Sequence, residues 1–389
     1  MGFIVKKPIP DAFIGRTILN TYPETNESIE QGYLTGKRHI LSLKEYSANI
    51  FGANFAINSL VFQEQDSIIS DCATTALWTV LQKAGSKFGY YSPSPYEIKI
   101  SASEHYGRIR PLPASGLNLL QIIEAIKSFN MEYQVKDYTE EGIEADRLTF
   151  LNFCYSYLRG GLPIFLGVNI EDDYHALAIL GYHLSSEKNI TESLPFLGCK
   201  IDKLYLHDDN IGPFVRAKVN NDSEENLVLN YEGKEMIPQS VIIPIYHKIR
   251  YPTTEIYEYI NEFHNLLIQI LQEKVGLEWD CYITTVNQYK NEILKNSNYE
   301  VYPQEKKKKI LSEFMPKYLW RCILRIDDII LLDLLADATE ARINNPFFFI
   351  TCNSETLTEE LRERLGDWVK KSYFSKSGFA EFLYERFSL

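Results

Sequence analysis

The sequence predicts an α+β fold in more than one part, on three observations. Apolar residues recur with a helical period from about residue 72 to residue 158, then give way to short β-rich runs between 163 and 246. Beyond Tyr251-Pro252-Thr253-Thr254, a boundary by composition, a long amphipathic helix opens a further region. Helices first and strands second, without regular alternation, imply a helical half and an antiparallel β half, not a doubly wound parallel sheet. The expected parts are an arm over residues 1–55, a core domain over 56–250 and an α/β C-terminal extension of unassigned role over 251–389.

The arm mixes turn formers with short apolar pieces, as in Pro8-Ile9-Pro10 and Tyr22-Pro23-Glu24, and shows no strong period. From Asp71 a helix is expected, with Ser70 or Asp71 as its cap, Ala73, Ala76, Leu77, Val80, Leu81 and Ala84 on one face, and Gly85 as its stop. Tyr90 to Pro95 reads as a loop and is followed by a polar segment. Gly116-Leu117-Asn118 leads into a second helix with Leu119, Leu120, Ile122, Ile123, Ala125 and Ile126 as its apolar stripe. A third helix is expected from Asp146 to Leu158, ended by Gly160-Gly161. Strands follow at Pro163–Val168, Ala176–Tyr182, Lys203–Leu206, Phe214–Val219, Asn226–Leu229 and Val241–Tyr246. In the extension, Ile256, Ile260, Phe263, Leu267, Ile270 and Leu271 mark the amphipathic helix, and strands are expected near Tyr282–Val286, Leu319–Ile326 and Phe347–Thr351.

Composition narrows the function classes. The chain has 389 residues, an apolar fraction of 45% and a formal net charge of −12, so it can bury a substantial core but has no general basic surface for phosphates. Neither nucleic acid nor an anionic membrane is an expected partner. No run approaches the ~20 apolar residues of a spanning helix, and the N-terminus lacks a signal-peptide pattern. The six cysteines, at 72, 154, 199, 281, 322 and 352, stand singly, which suggests neither a disulfide framework nor a zinc site. A reducing cytoplasm is therefore the expected location.

One constellation carries chemistry. Cys72 stands where a polar loop containing Gln65 meets the first turn of an apolar helix. A helix N-terminus or a neighbouring imidazolium favours the reactive thiolate over the thiol. His175, at the start of the run Ala176–Gly181, is placed to supply that imidazole at the mouth of a buried strand. Asp208 follows another short strand and is placed to accept a hydrogen bond from the ring, fixing its tautomer. Gln65, together with the backbone N–H of Cys72, is placed to bind a developing oxyanion. Gln63 is a second candidate for the amide, and Asp209 or Asn210 for the orienting group. Each piece alone has a plainer reading: a buried thiol, a structural histidine, a turn. The argument rests on all of them occurring in order, each on the element type its role needs.

Residues ~60–220 resemble the papain-like cysteine peptidase superfamily, most closely the branch that trims double-glycine leaders from bacteriocin precursors. The resemblance lies in the glutamine, short loop and Asp71-Cys72 before an Ala-x-x-Leu-like helix, the His175-Ala176 strand and Asp208 before a turn. It implies a papain-like core in which Cys72 is the nucleophile, His175 the general base, Asp208 the orienting acid and Gln65 the oxyanion amide, with no cofactor and no metal. Gly116-Leu117-Asn118 and Gly161-Leu162-Pro163-Ile164 also look like the family. Ala73 replaces its usual glycine, Gln65 stands one position further from the cysteine than is usual, and Asp209 replaces a proline. The expected activity is hydrolysis of a peptide or related amide, with a peptide or protein as substrate. The alternatives are a cysteine acyltransferase on the same scaffold or a non-catalytic binding module, with the extension engaging a protein partner.

Other features read as structure. Lys306-Lys307-Lys308-Lys309 suits a solvated helix start. His207 lacks a second histidine at ligand spacing. Phe88, Tyr90, Tyr91 and Tyr96 suit packing at a domain edge. Asp327, Asp328, Asp333 and Asp337 suit exposed acids on a half-buried helix or strand.

Overall fold

A computed structural model describes residues 2–8, 14–21, 34–64, 72–103, 116–138, 146–171, 173–186, 195–220, 228–271, 276–295, 302–326, 329–341, 345–370 and 377–388. Helices and antiparallel sheets are both present, as α+β requires. Two compact units divide these residues. The first gathers those of 1–25, 35–185 and 201–247, and the second those of 26–34, 186–200 and 248–389.

In the first unit, strands β1 (Phe3–Lys6) and β2 (Ile14–Ile18) pair with each other, as do β4 (Lys44–Ile50) and β5 (Ala53–Ser59), while β3 (Lys37–His39) lies between these pairs in the chain and joins the main sheet. The helices are α1 (Cys72–Phe88), α2 (Pro95–Ser103), α3 (Leu119–Ser128) and, after strand β6 (Met131–Asp137), α4 (Arg147–Arg159). Strands β7 (Ile164–Ile170), β8 (Asp173–Leu184), β9 (Ile201–Asp208), β10 (Gly212–Val219), β11 (Leu229–Tyr231) and β12 (Lys234–Tyr246) follow. Each of these six pairs antiparallel with the next, and β12 returns to β7, so the ladder closes on itself. Closure gives each of these six strands a neighbour on both sides. Strand β6 adds to β12 and β3 to the distal end of β8. The His39 carbonyl of β3 approaches β8 so closely that a Cβ at Gly181 would collide with it.

Helix α1 packs on β7, β8 and β12. It is buried on nearly every side, Thr75 and Trp78 included, so the apolar stripe expected from its period is wider in fact. Full burial of side chains such as Leu77, Val80 and Leu81 contributes roughly 1.5–3 kcal/mol each before entropy is charged against it. Thr79 satisfies its hydroxyl on the Val61 carbonyl at 3.1 Å. Gly85 does not stop the helix, which runs on to Phe88. Its missing side chain instead makes room for the returning chain, since a Cβ there would meet Ser92 Oγ at 2.9 Å and Tyr90 O at 3.1 Å.

Capping explains the other helix ends. Asn118 and Gln121 form a reciprocal capping box at α3, and Asp146 caps α4 through the Thr149 N–H at 2.7 Å. Helix α2 occupies the segment that reads only as polar in the sequence. Its signal was the string Ser94-Pro95-Tyr96-Glu97, in which the Glu97 carboxylate accepts from the Ser94 N–H at 2.8 Å and Pro95 sits at the first helical position.

The second unit carries α5 (Thr253–Leu271), β13 (Leu277–Thr285), α6 (Val286–Lys295), α7 (Gln304–Ser312), β14 (Tyr318–Ile326), β15 (Ile329–Asp337), β16 (Phe347–Cys352), α8 (Glu355–Lys370) and α9 (Ser377–Ser388). Its four strands form an antiparallel meander in chain order. One face packs Tyr282, Leu319, Ile323 and Leu335 against Tyr289, Ile293 and Ile310 of α6 and α7. On the opposite face, Trp279 lies 6.1 Å from Phe263 of α5, and Phe347 lies 4.6 Å from Phe379 of α9. The lysine run 306–309 lies on α7.

Strand β15 corrects the reading of its acids. Asp333 is fully buried and pairs in two-pronged fashion with the equally buried Arg321, at 3.0 and 2.8 Å. A carboxylate can sit there because the register brings this guanidinium beside it. Asp327 and Asp328 lie outside the described residues. Among the described residues, no helix is long and apolar enough to cross a membrane.

Candidate active site

Antiparallel pairing brings the start of β8 beside the end of β9, with Ala178 opposite His207. His175 and Asp208 therefore meet at one end of the sheet, and helix α1, packed on β8, begins with Cys72. His175 Nε2 lies 3.1 Å from Asp208 Oδ1 and 3.6 Å from Asp209 Oδ1. The Cys72 side chain is also close enough to the imidazole to favour its protonated form. Three of the side chains singled out in the sequence are thus joined as Cys72, His175, Asp208, and Cys72 remains half-buried.

The carboxylate is held from several sides. Its Oδ1 accepts the Asn210 N–H at 2.8 Å, so Asp208 also forms the turn that its sequence suggested. Its Oδ2 accepts the phenol of Tyr231 at 2.5 Å. Tyr231, on β11, was not foreseen. It is a lone tyrosine with no motif around it, brought near only by the closure of the ladder through β10 and β11.

The electrostatics follow from burial set against these partners. His175 is 11% exposed, Asp208 2% and Asp209 3%. Burial alone would push the His175 pKa down. The hydrogen bond to Asp208 and the nearby Cys72 side chain, with the charges of Asp208 and Asp209, outweigh it and lift the ring from 6.5 to about 10. Burial pushes Asp208 up, but the bond and charge of His175, the Tyr231 phenol and the Asn210 N–H together hold it below its ordinary 3.8. Tyr231 is raised, by burial first and then by its bond to Asp208. At neutral pH the ring is an imidazolium lying against a carboxylate.

His207 takes no part. It is buried between Phe62 and Phe214, at 5.6 and 4.7 Å, and desolvation lowers its pKa to about 3, so it is neutral. Gln65 lies outside the described residues, as do Ser70 and Asp71. Gln63 is half-buried beside Phe62, whose backbone pairs with Thr17, and no contact among the described residues ties it to Cys72. Asn210 contributes its backbone, while its side chain is exposed.

Phe88 and Tyr90 pack on Tyr246 at 6.0 and 5.8 Å, as structural aromatics do. One donor atom each from His175, Asp208 and Asp209 lie within 4.8 Å of one another, a spacing one divalent cation spans. A cation there would have to displace the proton between Nε2 and Asp208, and Asp208 already accepts from Asn210 and Tyr231. No family model matches the chain, and no curated protein matches it.

Proposed function

We propose that the chain is a cysteine hydrolase of peptide or related amide bonds, with Cys72 as nucleophile, His175 as proton carrier and Asp208 as the group that orients it. The observation that carries the reading is the convergence of three side chains: Cys72, at the N-terminus of a buried helix, acts on the His175 ring that Asp208 holds at 3.1 Å. The closed antiparallel ladder set against α1 supports the resemblance to papain-like peptidases drawn from the sequence.

In this reading the Cys72 proton already rests on His175 before substrate arrives, and the sulfur attacks the substrate carbonyl carbon from that ion pair. The carbonyl oxygen takes the negative charge, which the backbone N–H of Cys72 and the Gln65 amide are assigned to bind. As the C–N bond breaks, the His175 imidazolium gives its proton to the leaving amine. Water, deprotonated by the same ring, then attacks the thioester and restores the thiol. An amine acceptor in place of water would make the product of the same site a transferred acyl group. Asp208, pinned by Tyr231 and Asn210, keeps the ring aimed at the sulfur throughout.

The test is thiol reactivity. At neutral pH Cys72 is expected to react with dilute iodoacetamide at least tenfold faster than the other five cysteines, and His175→Ala to remove that advantage. Equal labelling of Cys72 and the half-buried Cys352 would leave a binding module as the better account.

A further inference from the structure

The second unit places two cysteines directly opposite each other, although their positions in sequence suggested no pairing. Cys281 on β13 and Cys322 on β14 are register partners in an antiparallel pair. Both are fully buried, and each thiol lies in the other's electrostatic reach. We propose that Cys281 and Cys322 are a disulfide-forming pair, a modification site at which oxidation staples β13 to β14.

The backbone already meets the geometric demand. Opposed residues of an antiparallel pair have Cα atoms about 4.5 or 5.5 Å apart, inside the ~4.4–6.8 Å that a disulfide spans. Side chains of directly paired residues leave the sheet on the same face, so neither strand has to slide or turn. None of the other four cysteines has this arrangement: Cys72 and Cys154 lie in the first unit, Cys199 lies in the short helix Leu197–Lys200 outside the sheet, and Cys352 on β16 pairs with Leu332.

Hydrogen peroxide represents the class of oxidant required, a small peroxide. One sulfur, as thiolate, attacks the O–O bond and becomes a sulfenic acid, and the expelled hydroxide takes up a proton as water. The second sulfur attacks the sulfenic sulfur, forming the S–S bond and releasing water as its own proton leaves. In sum two thiols and one peroxide give one disulfide and two waters, the sulfurs losing two electrons and the peroxide gaining them. Burial, the largest influence, holds the Cys281 thiol well above its ordinary pKa, so the reaction waits on transient opening of the sheet. Once closed, the bond is shielded by the same packing.

A spectroscopic reporter is built in. Trp279 and Trp320 precede the two cysteines by two residues on the same face, diagonal to the pair, and a disulfide quenches neighbouring indoles. The full chain is treated with hydrogen peroxide, in buffer and in urea below the unfolding transition. Remaining thiols are then blocked with iodoacetamide in denaturant and the peptides mapped without reduction. The expected result is a linked pair of peptides carrying Cys281 and Cys322, a loss of tryptophan emission and a rise of several degrees in the unfolding midpoint, all reversed by dithiothreitol. Cys281→Ala and Cys322→Ala are each expected to abolish the change in emission. The map of the unsubstituted chain decides the matter. If Cys281 and Cys322 are both alkylated in every condition that oxidises Cys352, or are linked to other cysteines, the proposal is overturned.

Discussion

The Nε2 of His175 faces Oδ1 of Asp208 at 3.1 Å across two antiparallel strands, joining side chains 33 positions apart in the chain. Because Cys72 also acts on the ring, one imidazole stands between a cysteine on a helix and a carboxylate on a strand. This is the relationship from which the functional predictions follow.

Replacing Asp208 with asparagine keeps the shape of the side chain and removes its charge. Turnover of a peptide substrate is expected to fall by about 10²-fold, within the range attributed to positioned acid–base groups. The far-ultraviolet circular dichroism should be unchanged. Unaltered turnover would shift the orienting role to Asp209, the other carboxylate near the ring.

The pH dependence of kcat/KM should report the raised pKa of the ring. Leaving-group protonation needs the imidazolium, so activity is expected to hold through neutrality and fall as pH passes about 10. In Asp208→Asn that alkaline fall should move towards neutral pH. An alkaline limb common to both proteins would refute the assignment.

Stability should be bounded on both sides by the same pair. His175 has a raised pKa, so its contribution is complete below 6.5 and is lost as pH rises through about 10. Asp208 is depressed, so its contribution is complete above 3.8 and is lost as pH falls through its folded value. The unfolding midpoint followed against pH should show both losses in the parent protein. Both should be diminished in a His175→Gln variant.

Tyr231→Phe removes one hydrogen bond to the buried Asp208 carboxylate. A bond to a charged group is worth about 1.5–3 kcal/mol, and a loss of that order is expected in urea unfolding. The alkaline limb of activity should also shift, because a freed Oδ2 changes how Asp208 holds the ring. Lost stability with an unmoved pH profile would mark Tyr231 as structural only.

A chelator distinguishes the thiol mechanism from one using the His175, Asp208 and Asp209 donors as a metal centre. Turnover should survive prolonged treatment with EDTA and be abolished by iodoacetamide. The reverse pattern would require a catalytic cation.

How far the fold was legible depended on how local each signal is. The Asp146 cap and Gly160 end of α4 lie within the segment they delimit and could be read directly. The capping box at Ser94 is equally local, but the nine-residue helix it opens carries too little apolar period to stand out in the sequence. Strand β15 was misread at Asp333, since an aspartate among leucines reads as exposed until its partner Arg321 on the adjacent strand is known. The pairing of Cys281 with Cys322 was hidden for the same reason.

What the sequence by itself determined was which chemistry was available and on which elements: a cysteine opening a helix, a histidine at the start of a strand, an aspartate at a strand's end. Only the tertiary structure decided that Asp208, not Asn210, faces the ring most closely, that Asp209 adds a second charge, and that Tyr231 holds the carboxylate from behind. The physical reason is that such contacts depend on strand register and ladder closure. These are set by long-range packing, which the periodicity of a single segment does not encode.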